Sequence, residues 1–81
     1  MLQIKKATGK KEQWIVYNPH NFNYHTHCYS LRVARLLRDN VNHKRMPKTR
    51  NIRLLESHIR LTADKKYREL IQQRISEVRG C

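Results

Sequence analysis

The chain has 81 residues, enough for one small domain with a thin core, and 38% of them are hydrophobic, including Trp14, Phe22 and four tyrosines, which excludes a disordered tail. Eighteen lysines and arginines against six acids give a formal charge of +12 and a pI near 10.4. Such an excess favours a polyanionic partner (DNA, RNA, an acidic protein or an anionic membrane surface) over a basic face that is merely solvated. No apolar run approaches the roughly 20 residues of a membrane span. The two lysines near the N-terminus lead into no long apolar segment, so no signal peptide is expected. Cys28 and Cys81 are expected as free thiols in a reducing cytoplasm.

Residues 1–81 are expected to form a single basic domain of mainly α, α+β class: a β-hairpin over residues 1–17 packed on three helices within 26–79, in the order β-β-α-α-α. Leu2 to Ala7 alternates weakly and reads as a strand, Thr8 to Lys11 as a turn, and Gln13 to Tyr17 as a second strand by its β-branched and aromatic content. Lys5, Lys6, Lys10 and Lys11 would cluster near the hairpin tip. Asn18-Pro19 stops the strand, and Asn18 to Tyr24 reads as polar loop with Phe22 and Tyr24 as anchors.

Helix one is expected to start near Thr26 or Ser30 and to end around Asp39-Asn40. On a wheel of roughly 100° per residue, Tyr29, Val33, Leu36 and Leu37 share one arc, and Arg32, Arg35 and Arg38 take the other. Helix two is expected from Pro47, a residue welcome in a first turn, to Leu61. Its Ile52, Leu55 and Ile59 form one stripe, while Leu54 and Leu61 point nearly opposite. Such a helix is either central, or it uses Leu54 and Leu61 to contact a second copy, so the chain is expected as a monomer or a homodimer. Thr62 is expected to cap helix three, which runs to about Arg79 with Tyr67, Leu70, Ile71, Ile75 and Val78 on its apolar face and Gly80 behind it.

The densest basic run is Asn42 to Arg53, with Lys44, Arg45, Lys48, Arg50, Arg53 and no acid. Cations in the first turn of helix two oppose the partial positive charge of a helix N-terminus, and an anion such as phosphate would reverse that cost. Arginine outnumbers lysine, and its planar fork suits phosphate. Arg32, Arg35, Arg38, Lys44, Arg45, Lys48, Arg50 and Arg53 are therefore the candidate phosphate contacts. The short corner between helices two and three is compatible with a helix-turn-helix unit, with Lys65, Lys66, Arg68, Gln72 and Gln73 as candidate base contacts. The corner lacks the usual glycine, and helical hairpins of this kind are common in proteins that bind no DNA.

Other chemistry is poorly supported by spacing. His25, His27 and Cys28 invite zinc but match no standard ligand pattern, so no metal is expected. The acids form no paired carboxylates, no glycine-rich phosphate loop or cofactor motif is present, and Ser57-His58 face different directions on a helix, so the chain is expected not to be an enzyme. Trp14, Tyr17, Phe22, Tyr24 and Tyr29 are expected in the core, although exposed aromatics would suit single-stranded bases. The expected function is non-enzymatic nucleic-acid binding, duplex DNA ahead of RNA and without a membrane partner. The alternative is an adaptor or inhibitor that docks on an acidic protein.

Overall fold

The computed structural model describes residues 1–7 and 13–80. Three strands, β1 (Gln3–Ala7), β2 (Gln13–Asn18) and β3 (Asn21–Cys28), precede three helices, α1 (Leu31–Asn42), α2 (Ile52–Arg60) and α3 (Lys65–Arg79). The expected order of strands followed by three helices holds, but the hairpin is part of a three-stranded antiparallel sheet, β1-β2-β3. The expected turn at residues 8–11, with Lys10 and Lys11, lies outside the described residues.

The stretch expected as loop, Asn18 to Tyr24, mostly belongs to β3. Asn18 ends β2 by accepting the N–H of His20 on its side-chain oxygen at 2.9 Å, which closes a tight turn at Pro19-His20 and returns the chain at Asn21. The residues that follow pair with β2 as Tyr17↔His25, Val16↔Thr26, Ile15↔His27 and Trp14↔Cys28. Alternation then buries Thr26 and Cys28 and leaves His25 and His27 outside.

Helix α1 starts after Ser30, not at Thr26, and continues to Asn42, past the expected end at Asp39-Asn40. Lys44 stops it with φ of 54°, while the N–H of Lys44 donates to the Val41 carbonyl and that of Arg45 to the Asn40 carbonyl. This is a Schellman ending with lysine where glycine would avoid the left-handed strain. The core-facing residues are Ala34, Leu37 and Val41. Tyr29 precedes the helix and is 79% exposed, and Leu36 is 56% exposed, so the apolar arc expected through Tyr29 and Leu36 is rotated away from the core.

Helix α2 begins at Ile52, five residues after Pro47, because Asn51 caps it by accepting from the N–H groups of Arg53 at 2.9 Å and Leu54 at 3.3 Å. Pro47 lies buried in the extended segment before it. Asp64, rather than Thr62, caps α3 through the N–H of Tyr67, and Thr62 instead accepts the N–H of Asp64.

The core joins Leu2, Val16 and Cys28 of the sheet region to Ala34, Leu37 and Val41 of α1, Leu55 and Leu61, and Tyr67, Ile71 and Ile75 of α3. Helix α1 lies across all three strands, and α2 is central, packed on α1, β3 and α3. Among the described elements α3 packs on α2 alone. Leu37, Leu55, Leu61, Ile71 and Val16 are the largest fully buried side chains, each worth about 1.5–3 kcal/mol of transfer free energy. Leu61 is 1% exposed inside this core and offers nothing to a second subunit, which leaves Leu54 as the half-buried member of the expected pair.

Candidate functional site

The candidate cations fall into three groups set by the helices. On α1, Arg32 and Arg35 are exposed, and Arg38 is half-buried with its Nε donating to Asp39 at 3.0 Å. The α1 residues turned toward the following segment are instead Val33, Leu36, Leu37 and Asn40. Among the described residues, Arg32, Arg35 and Arg38 line neither of the two clefts beside α2.

That segment supplies the second group, and its geometry differs from the expected one. Lys48 and Arg50 precede the helix instead of occupying its first turn, so neither opposes the α2 dipole there; Arg53 alone does. The segment is anchored by its main chain. Tyr67 donates its hydroxyl to the Arg45 carbonyl at 3.0 Å, and Arg74 donates to the Lys48 carbonyl at 3.3 Å. Its cationic side chains are left pointing outward, with Arg45, Lys48 and Arg50 exposed.

Two clefts flank Leu54. The larger, about 600 Å³, opens between the β3–α1 junction and α2, and Arg53, Arg60, His27 and Tyr29 line it. Arg53 and Arg60 are seven residues apart, so two helical turns bring them to the same face about 10 Å apart along the axis. Glu56 also borders this cleft, but its carboxylate is paired with Arg79 of α3 at 3.6 Å. Ser57 donates its hydroxyl to the Arg53 carbonyl at 2.9 Å, and His58 is buried with its Nδ1–H on the Leu54 carbonyl, so both are committed to the helix. The second cleft, about 390 Å³, lies between α1, the 45–49 segment and α2, with an apolar floor of Val33, Leu36, Met46, Pro47 and Leu54 and a rim of Arg45 and Lys48.

The third group decorates α3. Lys65, Lys66, Arg68, Gln72 and Gln73 are exposed, with Gln72 bordering a shallow cleft beside Glu56 and Ile59 of α2 and Arg68 donating to the Thr62 carbonyl at 3.3 Å. Lys44 reaches the N-cap of this helix and pairs with Asp64 at 2.7 Å. The Asp64 carboxyl is held below its ordinary value by the bond to Lys44 first and by the N–H of Tyr67 second. The corner from Leu61 to Asp64 is short, and among the described elements the α3 backbone comes close to that of α2 and not to that of α1.

His27 and Cys28 are successive residues of a strand, so their side chains leave opposite faces of the sheet and cannot meet one ion. Burial pushes the Cys28 thiol up. Among the described residues no group of three or more His, Cys, Asp or Glu could hold a metal. Among those same residues, no helix is long and apolar enough to cross a membrane.

Helical spacing puts Arg53 and Arg60 on one exposed flank of helix two together with Arg50; both line the larger cleft, whereas Arg50 precedes the helix. The exposed aromatics escape the sequence. Phe22 and Tyr29, expected in the core, are 59% and 79% exposed. The alternation from Phe22 through Tyr24, Thr26 and Cys28 was the available signal that this stretch is strand and not loop. No family model, no curated protein and no solved structure matches this chain.

Proposed function

We propose that the chain is a small, non-enzymatic, cytoplasmic nucleic-acid-binding protein that grips backbone phosphates through the cations on and around α2. One observation supports this above the others. Of the five acids on and beside the helices, all but Glu69 are taken by a subset of the bases, as Arg38–Asp39, Lys44–Asp64, Arg74–Glu77 and Arg79–Glu56. Arg32, Arg35, Lys48, Arg50, Arg53, Arg60, Lys65 and Lys66 then have no ion pair among the described residues. Unpaired arginines flanking a cleft suit bidentate contact with phosphate oxygens. Phosphates are common to DNA and RNA; duplex DNA is the first substrate to test, with the exposed α3 residues Lys65, Lys66, Arg68 and Gln72 available for base edges.

The double substitution Arg53→Gln/Arg60→Gln tests the site by fluorescence polarisation on labelled duplexes. Both residues are exposed, so the fold is retained. Binding weakens to a similar extent on unrelated sequences, and the slope of log affinity against log salt shrinks by about 2, roughly one for each phosphate that is no longer gripped. An unchanged slope rules out the cleft as the phosphate site.

The adaptor alternative draws on the second cleft, whose apolar floor and cationic rim would suit an acidic amphipathic helix. Leu36→Asp separates the two functions, since it blocks that cleft and leaves phosphate binding in place.

A further inference from the structure

None of the strand residues described is acidic, and the pleat divides the sheet into two unlike faces. Ile4, Trp14, Val16, Thr26 and Cys28 belong to the face against the helices, where Val16, Thr26 and Cys28 are buried. The pairs Gln3↔Tyr17, Lys5↔Ile15, Ile15↔His27 and Tyr17↔His25 make up the other face. There Lys5, His25 and His27 are exposed, and Ile15 and Tyr17 are half-buried.

The register of β2 and β3 breaks between Tyr17 and Asn18, which frees Phe22 from strict alternation. Its ring stacks on Tyr17, with centroids 5.4 Å apart and planes 7° apart. Lys5 holds its ammonium 5.0 Å from the Tyr17 centroid and 5.2 Å from the Phe22 centroid. His25 donates Nδ1–H to the Phe22 carbonyl at 2.6 Å, and its ring meets that of His27 edge to face at 5.5 Å. A lone exposed phenylalanine would need no explanation. Here a stacked pair, a shared cation and two neighbouring imidazoles form one π-rich surface whose geometry the backbone holds.

We infer that this open sheet face is a stacking platform for the unpaired bases of a single-stranded polynucleotide, RNA or DNA. Phe22 and Tyr17 take a base on their ring faces, and Lys5 moves from the rings to the adjoining phosphate. Charge and shape together select this occupant. A face with a cation and no carboxylate favours an anionic ligand, flat aromatic rings favour a planar one, and a nucleotide is both. A duplex keeps its bases stacked inside and has no free base plane to offer. The occupant class rests on the nucleic-acid function proposed above, but the residues are different ones, on the side of the sheet that the helices do not cover.

Phe22→Ala and Phe22→Trp in the full chain test the platform by fluorescence polarisation. Three labelled probes are used at matched salt: a single-stranded RNA, a single-stranded DNA of the same sequence, and its duplex. Phe22→Ala weakens single-strand binding by about tenfold and as much as a hundredfold, the range of one missing base stack. It leaves the duplex affinity and the single-strand salt slope unchanged, because every cation that meets a phosphate is still present. Phe22→Trp retains the single-strand affinity. A loss on RNA, on DNA or on both supports the platform and names the strand. Single-strand affinity indifferent to Phe22→Ala, or a duplex weakened equally, overturns the platform and leaves phosphate gripping intact. Failure of the unmodified protein to bind any of the three probes at low salt overturns both.

Discussion

His58 sits on α2 with 3% of its surface exposed, its Nδ1–H given to the Leu54 carbonyl at 2.6 Å and its Nε2 buried without a hydrogen-bond partner. Burial lowers its pKa below the ordinary 6.5, and the bond to Leu54 offsets this only in part. A group lowered in the folded state binds more protons once unfolded, so its contribution is complete above 6.5 and is lost as pH falls from there through the folded value. Thermal unfolding followed by circular dichroism should show Tm falling as pH is lowered below 6.5. His58→Leu removes both the titration and the unsatisfied nitrogen. It should flatten the part of that pH dependence due to this residue, and at neutral pH it should change stability by no more than about 1 kcal/mol, because an apolar side chain of similar size replaces a partly satisfied one. A variant with the same pH dependence as the parent would show that His58 does not set it.

At the scale of elements, the 43–51 segment is held by α3. The Tyr67 hydroxyl is pushed up to about 12 by burial and donates to the Arg45 carbonyl, so it stays a donor over any working pH. Tyr67→Phe removes one hydrogen bond and leaves a carbonyl unmet, which costs about 1 kcal/mol and lowers Tm by roughly 4–8 °C in a domain of this size. An unchanged Tm would mean that the segment is anchored by Arg74 and packing alone. The same segment marks where the sequence stopped being legible. Pro47 is acceptable at a first helical turn, but Asn51 accepts two N–H groups and Thr49 accepts the N–H of Asn51, so the local polar bonds set the start at Ile52. The strand β3 was obscured by its asparagines and histidines, which suggest loop by composition while Phe22, Tyr24, Thr26 and Cys28 keep period two. By contrast, β2, the run of α3 to Arg79 and the central place of α2 follow from apolar spacing that the packing respects. The exposure of Leu36 and the burial of Leu61 depend on which neighbours cover each helix, and that information is tertiary.

For the whole molecule, a net charge of +12 is spread over surfaces with different neighbours. The α1 arginines stand apart from the clefts, Arg53 and Arg60 border the larger one, and Lys65 and Lys66 sit near the corner before α3. What unites them is the shortage of carboxylates to pair with them, and this is why the proposed binding is phosphate-led and largely indifferent to sequence. The most direct test is the affinity of the unmodified protein for a duplex of about 20 base pairs measured across a salt series. With Lys48, Arg50, Arg53 and Arg60 each meeting a phosphate, log affinity should fall against log salt with a slope of about −4 or steeper. No binding at low salt, or binding that salt leaves unchanged, would contradict the proposed function.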